Sequence, residues 1–200
     1  MKKQRSTSTP TPPLPTEACS CHPLKRVNYF TGQLLTADDL IAEQNYHLEK
    51  HRQHNRLCHG YGVVQGLNVS VAKENGKSTV IVGPGAAIDS AGNLIQLCDP
   101  ARLTLPESGT PLFVAIRFAE CPTDPVPTLG EPSSGLGNSE QYARIQEQCE
   151  VFLSPTAGPD LENRNCHKGP RLPPGLVLSR LTRSGGRWHL DKKFRPARAH

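Results

Sequence analysis

His51–Leu67 reads HRQHNRLCHGYGVVQGL. A polar, histidine-rich run passes within a few residues into an apolar stretch punctuated by Gly60, Gly62 and Gly66. Upstream of the first of these glycines the apolar period is that of a helix, and downstream it is two, so the chain changes here from helix to sheet. The helix has a marked beginning. Thr36 is a good N-cap, and Asp38 and Asp39 fall in the first turn, where acids suit the helix dipole, with Asp39 at the position that completes a capping box. The pattern predicts a helix running to about Cys58 and stopping at Gly60. Its last turns are basic, with Lys50, Arg52 and Arg56. At 100° per residue Leu40, Ile41, Gln44, Leu48, His51, Asn55 and Cys58 share one face. That stripe is only half apolar, which suits a sheet edge or a partner surface better than a deep core. Within it His51 and Cys58 are expected to be buried, with His47 and His54 at the border. Asn55, Arg56 and His59 carry donors for the carbonyls orphaned at the helix end, and Gly60 and Gly62 allow the φ values of a sharp corner.

Working outward, GVVQGLNVSVA alternates, and Leu67, Val69 and Val71 share a face. Asn75-Gly76 is a type I′ hairpin signal, and TVIVGPGAAID is the returning strand, broken at Gly83-Pro84-Gly85. SAGN makes a turn before LIQL; ARLTL is a short strand and PLFVAIRFA a strong central one. ARIQEQCEVFL follows, and GLVLSRLTR, an SGG turn and RWHLD make a last hairpin. Seven or eight short strands predict a mainly β fold, a sandwich or open barrel, with one long N-terminal helix. The expected organisation is a flexible or extended Ser/Thr/Pro-rich tail over 1–24, an apolar lead-in and helix over 25–60, a β domain over 61–196 and a basic end at 197–200. Pro/Gly-rich loops are expected over 120–140 and 154–174; loops of that length usually serve a function or a partner.

The chain has 200 residues, 36% of them hydrophobic, with 19 prolines, 17 glycines and a net charge of +5. The basic excess lies mainly at the ends, with no helix-turn-helix or stacking motif beside it, so nucleic-acid binding is not expected. No apolar run approaches the roughly 20 residues needed to span a bilayer, and the basic N-terminus has no apolar signal core behind it. The expectation is a cytoplasmic protein without membrane insertion. Seven cysteines at irregular spacing argue against a secreted disulfide framework.

His47, His51, His54 and Cys58 are the first candidate metal ligands, since imidazoles at i, i+4 can share a zinc ion. A straight helix spreads these four over about 16 Å, so at most two could share one ion. The second candidate set is Cys19, Cys21 and His22 with Cys166 and His167, which could close a structural zinc site stapling the tail to the body; free thiols are the alternative. For catalysis there is no G-x-S-x-G, P-loop or dinucleotide-binding glycine motif, and Asp38 and Asp39 are accounted for by capping. The sequence is read as non-enzymatic and without a cofactor. The alternatives are a zinc-stapled sandwich that binds a ligand or carbohydrate, against which stands the single tryptophan, and a metal-dependent enzyme.

Two elements carry a family resemblance. One is G-x-x-L-x-x-x-D-L-x-x-E-Q-x-Y, formed by Gly32, Leu35, Asp39, Leu40, Glu43, Gln44 and Tyr46; the other is PG-x-A-I-D-x-x-G, formed by Pro84, Gly85, Ala87, Ile88, Asp89 and Gly92. With the block HNRLCHGYGVVQGL and the closing LVLSRLT…WHLD, they resemble bacterial proteins encoded among the baseplate and tail genes of phage-tail-like contractile injection systems. They also resemble attachment regions of phage tail-fibre and baseplate proteins. The likeness runs over about residues 25–196. It implies a structural component that docks on other baseplate, tail or fibre subunits and is oligomeric in the assembly, cytoplasmic or released with the particle. It also implies docking or architectural roles for Asp39, Gln44, Tyr46, Asn55, Arg56, His59, Gly60, Gly62, Pro84, Gly85, Asp89 and Gly92. Members carry paired cysteines near the start and in the last long loop, where this chain has Cys19-Ser20-Cys21 and a single Cys166.

Overall fold

The order of elements follows from where the apolar period changes. A computed structural model describes residues 23–74, 76–109, 111–126, 141–156 and 175–200. Helix α1 spans Ala37–His54 and continues into a π turn, Asn55–His59. Ten strands follow: β1 Gly62–Gly66, β2 Val69–Glu74, β3 Lys77–Val82, β4 Gly85–Ile88, β5 Leu94–Leu97, β6 Ala101–Thr104, β7 Leu112–Val126, β8 Gln141–Ser154, β9 Leu176–Ser184 and β10 Arg187–Leu190. The fold is mainly β with a single helix among the described residues, as the alternation predicts. The chain divides into two compact units, Met1–Tyr46 and His47–His200, so the last turns of α1 belong with the strands.

In the larger unit three antiparallel sheets have the orders β1-β4-β5, β2-β3-β6 and β10-β9-β7-β8. They share one core, to which Val63, Ala87 and Ile95 come from the first sheet, Val80 and Val82 from the second, and Val114, Ile116, Leu178 and Leu181 from the third. Arg117 is buried against the β7–β8 face; its Nε and Nη2 donate to Glu150 Oε2 at 2.8 and 2.6 Å, and the guanidinium lies 4.8 Å from the Phe152 ring centroid. The paired carboxylate and the ring offset the cost of desolvating the cation.

Several expectations need correcting. The run GVVQGLNVSVA is not one strand. Gly66 and Leu67 both have positive φ, 62° and 53°, and they send β1 and β2 into different sheets. Leu67 keeps its side chain in the core, so its apolar character hides the break. Instead of ending in a loop at Glu120, β7 continues through Pro122 and Pro125 to Val126, paired to β8 as far as Gln141. Only Leu112–Ile116 of β7 also pairs with β9, so among the described residues β7 and β8 form a two-stranded ribbon beyond Ile116. His51 and Cys58 are exposed, not buried. The π turn adds a residue after Asn55 and so shifts the phase at Cys58, while Asn55, itself on the expected stripe, is the one buried position of that turn. His51 lies before the π turn, on a helix with no buried residue. The basic end at 197–200 lies along the sheet: Ala197 packs against the core, and Val63 and Arg198 form a parallel bridge. The expected tail, apart from residues 23 and 24, and most of both expected long loops lie outside the described residues.

Candidate docking segment and helix-to-sheet corner

In the smaller unit, Gly32 has φ 87° in a turn closed by a hydrogen bond from Gln33 N to Phe30 O of 3.2 Å. The capping box forms in full. Thr36 N and Oγ1 donate to Asp39 Oδ2 at 2.9 and 2.8 Å, and Asp39 N donates to Thr36 Oγ1 at 3.3 Å. The backbone bond from Thr36, followed by that from its hydroxyl, holds the Asp39 carboxyl below the ordinary carboxylate range. A lowered folded-state value means that the cap is in place above the ordinary carboxylate pKa and is lost as pH falls through the lowered one. An NMR titration of the Asp39 carboxyl should therefore show a depressed midpoint, with the first helical amides shifting alongside it. Thr36→Ala should move the midpoint back toward the ordinary value, and an unchanged midpoint would refute the cap.

Around this cap the apolar residues are uncovered. Tyr29, Phe30, Leu34, Leu35, Leu40 and Ile41 are all at least half exposed, Leu34 at 84%, and α1 contains no buried residue. Exposed large apolar side chains set this close together in the sequence are uncommon on a surface that meets only water. Gln44 is exposed and Tyr46 half-buried on the same helix.

The corner is built from a buried turn. Asp89, 1% exposed, accepts hydrogen bonds at Oδ1 from Ala91 N and Asn93 N, both 2.9 Å, and at Oδ2 from Asn93 Nδ2 at 2.8 Å. This fixes the β4–β5 turn and aims its carbonyls at the helix end. Arg52 Nε donates to Asn93 Oδ1 at 2.6 Å, Asn55 Nδ2 to Gly92 O at 2.8 Å, and Arg56 Nη1 to Ala91 O. Arg52 also pairs with Glu49 at 2.8 Å. Gly92 has φ 89°, and a Cβ there would overlap the Arg52 carbonyl, so only glycine permits this approach. Asn55 and Arg56 thus serve the turn rather than the helix's own carbonyls. The sequence marks Arg52 only as a basic residue of the last helical turns and Asn93 only as part of the SAGN turn, neither as a corner contact. The i, i+3, i+4 spacing of donors at 52, 55 and 56 is the signal that could have found the first of them.

His59 Nδ1 lies 2.9 Å from His200 O, and His200 N donates to His59 O at 2.9 Å. Gly60, φ 72°, turns the chain, and Gly62 packs directly on the backbone of Ala197 and Arg198. Pro84 O accepts from Leu67 N at 3.1 Å, and a Cβ on Gly85 would overlap the Gln65–Leu67 backbone.

Cys58 Sγ lies 3.6 Å from His54 Nδ1, and the His54 and His59 rings meet edge-on at 5.4 Å. No group of three His, Cys, Asp or Glu side chains among the described residues converges as a metal site. Cys19, Cys21, His22, Cys166 and His167 lie outside the described residues. Cys58, Cys98, Cys121 and Cys149 are free thiols; burial, and then Cys98 nearby, push the Cys149 thiol up.

These features define a class: a β domain of three sheets preceded by a capped helix with an uncovered apolar segment. No family model and no curated protein sequence matches the chain. Among solved structures the chain is similar in fold to TssK, in a crystal structure, with 13% identity and a TM-score of 0.50 over 87% of this chain and 42% of that one. It also aligns at 15% identity and TM-score 0.49 with a chain of the type VI secretion system TssK–TssF–TssG baseplate subcomplex seen by cryo-electron microscopy, covering 87% of this chain and 62% of that one. A chain of the type VI secretion baseplate complex aligns at 16% and 0.48, covering 88% and 60%. The chain spans less than two thirds of the length of each of these structures. No helix among the described residues is long and apolar enough to cross a membrane.

Proposed function

We propose that the protein is a non-catalytic structural subunit of a phage-tail-like contractile particle, seated at the baseplate or a fibre-attachment position. The uncovered apolar segment Tyr29–Ile41 carries this reading: apolar area of this kind is stabilised only when another surface removes it from water. The TssK-like fold supports it, because TssK is a component of a TssK–TssF–TssG baseplate subcomplex. In the assembly the capped start of α1 and the residues before it lie against a neighbouring subunit.

The test is to purify the particle with and without Leu34→Asp and Ile41→Asp in this chain. Both positions are exposed, so the isolated protein should unfold at an unchanged midpoint, while the doubly substituted chain should be missing from the particle. Full retention of that chain in the particle, or turnover of a substrate by the purified protein, would overturn the proposal.

A further inference from the structure

We propose that the groove between the tips of the β2–β3 and β9–β10 hairpins binds an acidic, partly apolar peptide segment of another protein in extended form. The groove encloses about 490 Å³ and lies wholly in the larger unit. Lys73, Lys77, Arg183 and Arg187 line it against a single carboxylate, Glu107. All four cations are exposed. Among the described residues none of them is ion-paired, whereas Arg102 and Arg180 on neighbouring strands hold Glu74 and Asp191 at 3.6 Å each. Four like charges converging on a concave surface focus a positive potential there and favour an anionic occupant.

Two further features separate a peptide from a bare polyanion. The floor is apolar, formed by Val71, Leu105 and Trp188. The indole N–H of Trp188 is already committed to Pro106 O at 2.9 Å, so the ring offers the groove only carbon surface. Leu105 and Trp188 are already nearly buried, so it is the partly exposed Val71 that an apolar side chain of a peptide covers and a phosphate chain leaves wet. The walls are sheet edges: β2 ends one sheet and β10 another, and the two strands touch without joining into one ladder. Edge strands present unpaired N–H and C=O groups, which an extended chain can satisfy by adding a strand. Alternating side chains of such a strand would face the cations and the apolar floor in turn.

Trp188 is the chain's one tryptophan and lines the groove, so its emission can be followed on titration. The probe is a short synthetic peptide alternating glutamate with leucine, titrated into the full chain; its controls are the same peptide with lysine for glutamate, and inorganic polyphosphate. The acidic peptide should give a saturable emission change that weakens with salt, and the lysine peptide none. Lys77→Glu with Arg187→Glu should weaken binding at least about tenfold, with an unchanged thermal midpoint; Lys77→Gln with Arg187→Gln replaces that pair if charge reversal disturbs folding. The proposal is overturned by absence of both an emission change and calorimetric heat, by unaltered binding to the folded variants, or by polyphosphate binding as tightly as the peptide. The isolated chain suffices for this test, so its outcome is independent of whether the protein sits in a particle.

Discussion

Asp89→Ala should lower the free energy of unfolding by about 4 kcal/mol, read from the urea midpoint at constant slope. The side chain is fully buried and accepts three hydrogen bonds, two from backbone N–H groups and one from the Asn93 amide. Alanine leaves these donors without their acceptor, and orphaned buried donors cost more than the net worth of the bonds themselves. The effect also spreads. Once Asn93 loses its anchor, its Oδ1 no longer sits 2.6 Å from Arg52 Nε, and the carbonyls of Ala91 and Gly92 drift from Arg56 and Asn55. Asp89→Asn should cost about half as much. Its one oxygen can keep Ala91 N and Asn93 N, but its amide then opposes Asn93 Nδ2, and flipping Asn93 to relieve this gives up Arg52. Because the residues form one network, Asp89→Ala combined with Asn55→Ala should cost clearly less than the sum of the two single changes. A loss below about 1 kcal/mol for Asp89→Ala, or strict additivity, would show that the turn does not hold the helix end.

Gly62→Ala should expel the C-terminal segment from the sheet at a cost of about 2–3 kcal/mol. Gly62 has φ 140°, and an added Cβ would lie 2.5–2.6 Å from backbone atoms of Ala197 and Arg198. Backbone cannot rotate away as a side-chain tip can, so the two chains must part. Three bonds then go: Val63 N to Ala197 O at 2.8 Å, Ala199 N to Val63 O at 3.3 Å and His200 N to His59 O at 2.9 Å. Amide hydrogen exchange should show protection lost at Val63, Ala199 and His200 while Leu181 and Ile116 keep theirs. Removing residues 197–200 from the Gly62→Ala protein should cost almost nothing further. An equal additional loss would mean that the segment had stayed in place.

Most of the strand order could be read from the sequence, because each strand from β2 to β5 is bounded by a turn residue whose backbone preference is local: Gly76, Gly83-Pro84-Gly85 and Gly92. The helix start was legible for the same reason, since a capping box is contained in four residues. What escaped depended on distant partners. Pro122 and Pro125 look like loop residues when the strand they accompany lies twenty residues on. Leu67 looks like an ordinary apolar strand position, although it occupies the left-handed region. The corner residues 55, 56, 59 and 62 stood out as a cluster of donors and a glycine, but nothing near them says that their partners are Gly92, Ala91, His200 and Ala197. The burial expected of Cys58 failed because a 100° wheel cannot represent the extra residue of a π turn, whereas His51 lies before that turn on a helix with no buried residue. The exposed apolar segment was visible as composition, and its exposure became apparent only once the core was seen to be filled without it.

The ribbon beyond Ile116 has a consequence for solubility. A pair of strands with no third neighbour is a template on which identical molecules can stack edge to edge into fibres. Here the free margin of β7 is interrupted. Pro122 and Pro125 have no N–H to give, and Asp124, with φ 58°, makes an irregularity between them. A proline inside a strand is tolerated where its nitrogen faces away from the ladder, so the missing donors fall on the outer margin. On the other side, Arg144 and Glu147 place charge along β8. The exposed far end of the ribbon therefore offers an identical molecule few backbone donors on which to extend the sheet.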